Sequence, residues 1–323
     1  KAIAIKDGVS SSVATATYTI GSESNNNVNR NSLDANYNSS KKMWGLEWPH
    51  ISNTPSNTTW VVKETSQYGV TLSLEWCNDS LANRWTCYTL HDGNSASNVQ
   101  RYDGDFITET DIPSNYRTKH SDYTNSGYTR GHLCPSSDRL CSEEQNKQTF
   151  STGNIHPQWS SHNSGQWENL EEDVRSWASM TSCDTLYIVK AATIGNVTLN
   201  GVAESGVFST TYNGQSYSDL KCNNKLYVPK YFYMALLAYN KTAGTYKAMG
   251  IWTKHFNNGT TGADQKTHSW PVINKESAQY ITIDELEART GIDFFCNLPD
   301  DIEEEVESVL DTSYWSVGAS LDK

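Results

Sequence analysis

Tyr128-Thr129-Arg130-Gly131-His132-Leu133-Cys134-Pro135, with its tail Ser136-Ser137-Asp138-Arg139, sets the terms for the rest of the chain. An Arg, a Gly and a His stand in a row, and a Pro follows three residues after the His. Asn125, Ser126 and Gly127 lead in as turn formers. A His beside a backbone-permissive Gly and a fixed cation can be aimed at a small anionic target. The Cys134 thiol offers a competing chemistry, as a nucleophile near His132, and a disulfide is the plainer use of it.

Upstream of this stretch, Trp60-Val61-Val62, residues 70–76 and residues 85–90 are aromatic and β-branched runs separated by turn residues. They read as strands of an antiparallel sheet. Residues 94–127 form a long polar connection, a length usually reserved for function in a compact domain. It carries Arg101 and delivers the chain to His132. Downstream, Trp167, Leu170, Val174 and Trp177 recur at spacings of three and four, which predicts a helix over 166–180. Residues 185–192 read as a buried strand, and 226–239 and 246–254 as further strands. A short helix over 283–291 ends at its own Gly, and 302–310 reads as an amphipathic helix.

Residues 1–42 are rich in Ser, Asn and Thr, and 13–20 alternate as a strand does. They read as an N-terminal extension or the remnant of a preceding β module. Residues 43–323 read as one α+β domain, a central twisted antiparallel sheet flanked by helices.

The helix over 166–180 holds an anomaly. Glu171 lies on or beside the apolar stripe, where a carboxylate is costly unless paired. Arg175, four residues on, is spaced to pair with it. Asn163 precedes Glu171 by about two helical turns, so both can look toward one site if the helix begins near Asn163. Each part has a structural alternative: a helix cap for Asn163, an ion pair for Glu171 and Arg175, a buried hydrogen-bonded role for His132. Together they offer a base, cations and an oxygen ligand for a hard metal ion. Phosphodiester cleavage needs those groups.

The net charge is −12, from 25 Lys+Arg and 37 Asp+Glu. That argues against a protein whose whole surface attracts nucleic acid, and leaves room for a local anion site. Part of the acid excess, Asp300-Asp301 and residues 303–307, reads as a solvated helix face. The seven cysteines form no CxxC, which disfavours structural zinc. The polar, aromatic-rich composition suits an exported protein, secreted, periplasmic or at the cell surface, with some cysteines paired. Cys77 and Cys87 are spaced to meet across a hairpin.

Residues 128–135 resemble the Arg-Gly-His signature of the DNA/RNA non-specific endonucleases, of the ββα-metal (His-Me finger) nuclease superfamily. The resemblance continues through Asn154-Ile155-His156-Pro157-Gln158 and Asn163-Ser164-Gly165-Gln166-Trp167 to Glu171. It extends to Glu287-Ala288-Arg289-Thr290-Gly291-Ile292-Asp293-Phe294-Phe295 and Leu298-Pro299. It implies a ββα-metal core and cleavage of DNA and RNA with little sequence preference, leaving 5′-phosphate ends. His132 would be the general base, and Asn163 the direct protein ligand of Mg²⁺ (or Mn²⁺). Glu171 would hold metal-bound water, and Arg130, Arg175 and Arg101 would bind or stabilise the phosphate. Arg139 is a further candidate for phosphate contact, and Asn154 a substrate-side or site-supporting residue. Thr129 stands where the family often has Asp, keeping a hydrogen-bonding group and dropping the charge. Two other readings compete: a binding or adhesion module on a weakened nuclease fold, and a phosphodiesterase for a non-polymeric substrate.

Overall fold

A computed structural model of the chain describes residues 5–6, 9–10, 27–217, 220–259 and 270–316. The strand expected over 13–20 lies outside the described residues.

Seven strands form the main sheet: β1 (Thr58–Thr65), β2 (Gly69–Cys77), β3 (Ala82–Leu90), β6 (Thr185–Ala192), β7 (Tyr231–Asn240), β8 (Thr245–Lys254) and β9 (Gln279–Ile281). Two four-residue strands, β4 (Thr129–His132) and β5 (Ile155–Gln158), pair with each other outside it. The sheet order is β9-β8-β7-β6-β3-β2-β1, and every pairing is antiparallel.

Side chains alternate across a strand, so both faces of this sheet must be covered. On one face Leu72, Leu74, Trp76, Leu186, Ile188, Met234 and Leu236 pack with Trp167 and with Leu170, Val174 and Trp177 of helix α2 (Glu168–Ala178). On the other, Trp85, Val189, Ala191, Tyr233 and Leu237 pack with Ile283 and Leu286 of α3 (Ile283–Thr290) and with Phe294 and Leu298. Ile302 and Val306 of α4 (Asp300–Glu307) join that second layer. The result is a central antiparallel sheet flanked by helices, an α+β fold. Helix α3 stops where expected, with Gly291 at φ 69°.

Two expectations need correction. All seven cysteines are free and buried. Cys77 is in register with Ala82 and Cys87 with Ser73, so the two thiols do not meet across the hairpin. The acidic run near the end is not a uniformly solvated face, because Glu303 and Glu307 are both buried. Described residues before 43 pack on the domain. Fully buried Asn31 donates to Met43 O and Pro49 O, and Asn27 donates to Cys296 O (2.9 Å).

The β4–β5 pair is too short to stand alone, and buried polar side chains tie it to the sheet. His156 Nε2 donates to Asn83 Oδ1 of β3 (2.8 Å), and Asn83 Nδ2 donates to Gly153 O (2.7 Å). His255 donates from Nδ1 to Pro229 O (2.7 Å) and accepts the Trp159 N–H at Nε2 (2.8 Å). Burial pushes His156 down to about 4 and His255 down to about 3, which keeps both neutral for these bonds.

Asn154 closes the hairpin from the side. Its Oδ1 accepts the Cys134 N–H (2.9 Å), and its Nδ2 donates to Cys134 O (2.8 Å) and Thr149 O (2.9 Å). With Asn154 fully buried, Asn154→Ala strands three backbone groups without partners. It should cost at least about 3 kcal/mol in a denaturant titration. A loss under about 1 kcal/mol would mean that these bonds are not what holds the segment.

Candidate active site

His132 ends β4 and faces the same way as Arg130, two residues back on a pleated strand. Between them, Gly131 pairs with His156 on the opposite face. A Cβ on Gly131 would run into the Gln158 side-chain amide, so only glycine lets the strands close. Gln158 is held in turn by donating to His162 Nδ1 (2.5 Å), while His162 Nε2 donates to Thr253 Oγ1 (3.2 Å). Thr129 also has a place here: its hydroxyl donates to Gln158 O across the hairpin (2.7 Å).

The His132 imidazole sits between two phenyl rings, Phe106 and Phe150, each 5.1 Å away between centroids. Each ring carries an arginine: Arg101 lies 4.8 Å over Phe150, and Arg130 lies 5.7 Å over Phe106. Arg130 also donates to His120 Nε2 (3.0 Å) and to Thr124 Oγ1 (3.2 Å). Burial first, and then the Arg101 charge, push the His132 imidazole down to about 3. Its Nε2 is buried with no hydrogen-bond partner among the described residues. The imidazole is therefore held neutral.

The helical segment that follows β5 approaches His132 through Trp167, whose indole N–H donates to His132 O (3.2 Å). This segment is less regular than its spacing predicts. Residues His162–Trp167 make a wide turn whose backbone leaves helical values at Ser164 (φ −93°, ψ 19°) and Gly165 (φ −129°, ψ −106°), and only Glu168–Ala178 is regular α-helix. Asn163 lies in the wide turn, half-buried, and its backbone N–H donates to Trp159 O (2.9 Å). Its side-chain amide makes no hydrogen bond among the described residues.

Glu171 and Arg175 do not form the expected pair. Arg175 binds Asp138 Oδ1 (3.1 Å), and Asp138 Oδ2 accepts the Tyr88 hydroxyl (2.7 Å). Asp138 is buried in the turn after the Arg-Gly-His stretch, so this bridge fastens that turn to α2. Glu171 instead lies 3.8 Å from the ammonium of Lys190, a fully buried lysine of β6. Burial pushes the Glu171 carboxyl up to about 7; Lys190 and Arg175 oppose this, and Asp138 and Glu168 add to it. Arg101 is within electrostatic range of both Glu171 and His132.

Two candidate residues fall outside this cluster's exposed groups. Arg139 is completely buried and donates to Thr71 O, Asp138 O and Thr89 O, at 2.8, 2.8 and 2.9 Å. It fastens loops and cannot reach a phosphate. Asn154 is likewise committed to backbone, so it positions the segment after His132 and does not touch substrate. Burial pushes the Cys134 thiol up to about 12, which removes it as a nucleophile.

Lys190 and Asp138 are the residues that spacing alone missed. Lys190 had a signal: in β6 it falls in the row Leu186, Ile188, Lys190, Ala192, where every neighbour is apolar. Phe106 had none, because nothing in a polar loop singles out one ring.

The family description "DNA/RNA non-specific endonuclease" matches residues 55–301. A nuclease of Nostoc sp. is 27% identical over 240 residues, 74% of this chain and 76% of that protein. The mitochondrial nuclease EXOG of Xenopus laevis is 25% identical over 218 residues, 68% of this chain and 54% of that protein. In structure, the chain is similar to one in a crystal structure of the EndoG/EndoGI complex. The TM-score is 0.54 at 19% identity, covering 75% of this chain and 88% of that one, a likeness of fold. With more than half its length matched in one run that contains the whole site, the chain belongs to the DNA/RNA non-specific endonuclease family.

Proposed function

We propose that the chain hydrolyses phosphodiester bonds in both DNA and RNA, with His132 as general base and a divalent cation, Mg²⁺ or Mn²⁺, held by Asn163. The observation that carries this reading is the neutral His132 imidazole, set between two rings that each carry an arginine. A base must be unprotonated and free at the moment it takes a proton from water.

The residues fit a hard cation. Asn163 and Glu171 both offer oxygens without a hydrogen bond among the described residues, on one helical segment. Mg²⁺ keeps most of its waters, so one direct protein ligand and one carboxylate for a bound water suffice. When bound, the cation supplies positive charge for the phosphorane-like transition state and for the leaving oxygen. The His132 imidazole accepts the water's proton. Arg101 and Arg130, each stacked on a ring that flanks the imidazole, bind phosphate oxygens. Arg175 adds charge from behind its Asp138 bridge, and Lys190 keeps Glu171 from being fully protonated at neutral pH. Contacts of this kind read the backbone and not the bases, which suits indifference to sequence.

His132→Ala should lower the rate on plasmid DNA and on RNA by about 10²–10⁴-fold, the usual worth of a positioned base, with an unchanged circular dichroism spectrum. Chelation by EDTA should stop wild-type cleavage of both polymers. Cleavage that persists in the variant would assign the base elsewhere, and cleavage that persists in EDTA would remove the metal.

The pH dependence separates the two acid–base groups. His132 stays neutral down to about 3, so it sets no limb in the working range. Glu171 is ionised only above about 7 and accepts from water only when ionised, so kcat/KM should rise as pH increases toward that value. Bound metal moves the limb lower. Glu171→Gln should flatten it; an identical limb in that variant would take Glu171 out of the reaction.

A further inference from the structure

On the sheet face opposite α2, α3 and α4 bring three carboxylates together. Asp284 and Glu287 lie one turn apart on α3, and Glu307 ends α4. One carboxylate oxygen from each lies within 4.8 Å of the other two. The three are unequal: Asp284 is exposed, Glu287 half-buried, and Glu307 only 6% exposed. Glu287 accepts the Phe294 N–H (2.7 Å), whereas the buried Oε1 of Glu307 has no partner among the described residues. Nearby Glu303 and Asp293 do not relieve it, since they are acidic too and share the Asn29 amide. The closest arginine of α3, Arg289, is engaged with Glu285 and Gln279. Burial first, then Glu287, Glu303, Asp293 and Asp284, push the Glu307 carboxyl up to about 10.

A buried carboxylate beside two others, with no cation opposite, is costly when ionised. A cation removes the cost. The donors are all carboxylate oxygens, which select a hard ion over zinc. One oxygen from each residue lies close enough to the others for a single ion of Ca²⁺ size to reach all three. The open Asp284 side leaves room for the waters that complete a coordination number of about 6–8.

We propose that Asp284, Glu287 and Glu307 form a calcium site that clamps α3 to α4, separate from the catalytic cleft and independent of the reading given for it. The test is thermal unfolding and calorimetric titration of the full chain with calcium chloride. In millimolar Ca²⁺, the wild-type melting temperature should rise by about 3 °C or more over that in EDTA. Asp284→Asn and Glu307→Gln should lose the rise and bind Ca²⁺ about tenfold or more weakly. Asn163→Ala, which alters only the catalytic cleft, should keep the full rise. An unchanged wild-type melting temperature, an undiminished rise in Asp284→Asn, or loss of the rise in Asn163→Ala would each overturn the proposal. Because Asp284 is exposed, Asp284→Asn decides the matter even if Glu307→Gln does not fold.

Discussion

The site depends on holding a two-stranded hairpin that cannot hold itself. β4 and β5 have four residues each and no place in the main sheet. Buried side chains do the work of a longer ladder: His156 to Asn83, Gln158 to His162, Asn154 to Cys134, His255 between Pro229 and Trp159. Each bond requires a neutral imidazole or an amide in a fixed orientation, and burial enforces the neutral form. The cost of desolvating so many polar groups is offset only because the partners are complementary. His132 inherits its rigidity from this network, not from its own contacts, because its Nε2 is left without a partner.

Charge is arranged around the cleft in two shells of opposite use. Arg101 and Arg130 are partly exposed and lean on aromatic rings, which keeps their charge available while their stems are packed. Lys190 and Asp138 are buried and spend their charge on Glu171 and Arg175. The chain as a whole is acidic, so attraction of a polyanion rests on a local patch that salt screens readily. The carboxylates gathered by α3 and α4 lie on the other face of the sheet, away from that patch.

Much of the fold was legible in residue patterns. The 185–192 run is a central strand to the residue, because an unbroken apolar row fits only a sheet covered on both faces. Gly291 stops α3 because a left-handed residue is needed there. The helix over 166–180 was legible in its stripe, but the kinked turn before it was not, since side-chain periodicity does not report the backbone break at Ser164 and Gly165. Of the proposed site, Arg130, His132, Asn163 and Glu171 come from adjoining segments and could be grouped by spacing. The partners of Glu171 and Arg175 could not, because i,i+4 geometry permits a pair without requiring it, and Lys190 and Asp138 arrive from other elements. Arg139 misled for the opposite reason: an arginine beside a catalytic motif looks like a phosphate ligand until its full burial is known.

Asn163 is proposed to carry a metal ion to the neutral imidazole of His132. Crystals soaked in Mn²⁺ and measured at the manganese absorption edge test it directly. The account predicts an anomalous peak within about 2.3 Å of Asn163 Oδ1, with a metal-bound water between it and His132 or Glu171. A peak elsewhere in the cleft with Asn163 unliganded, or none under conditions that support cleavage, would contradict it.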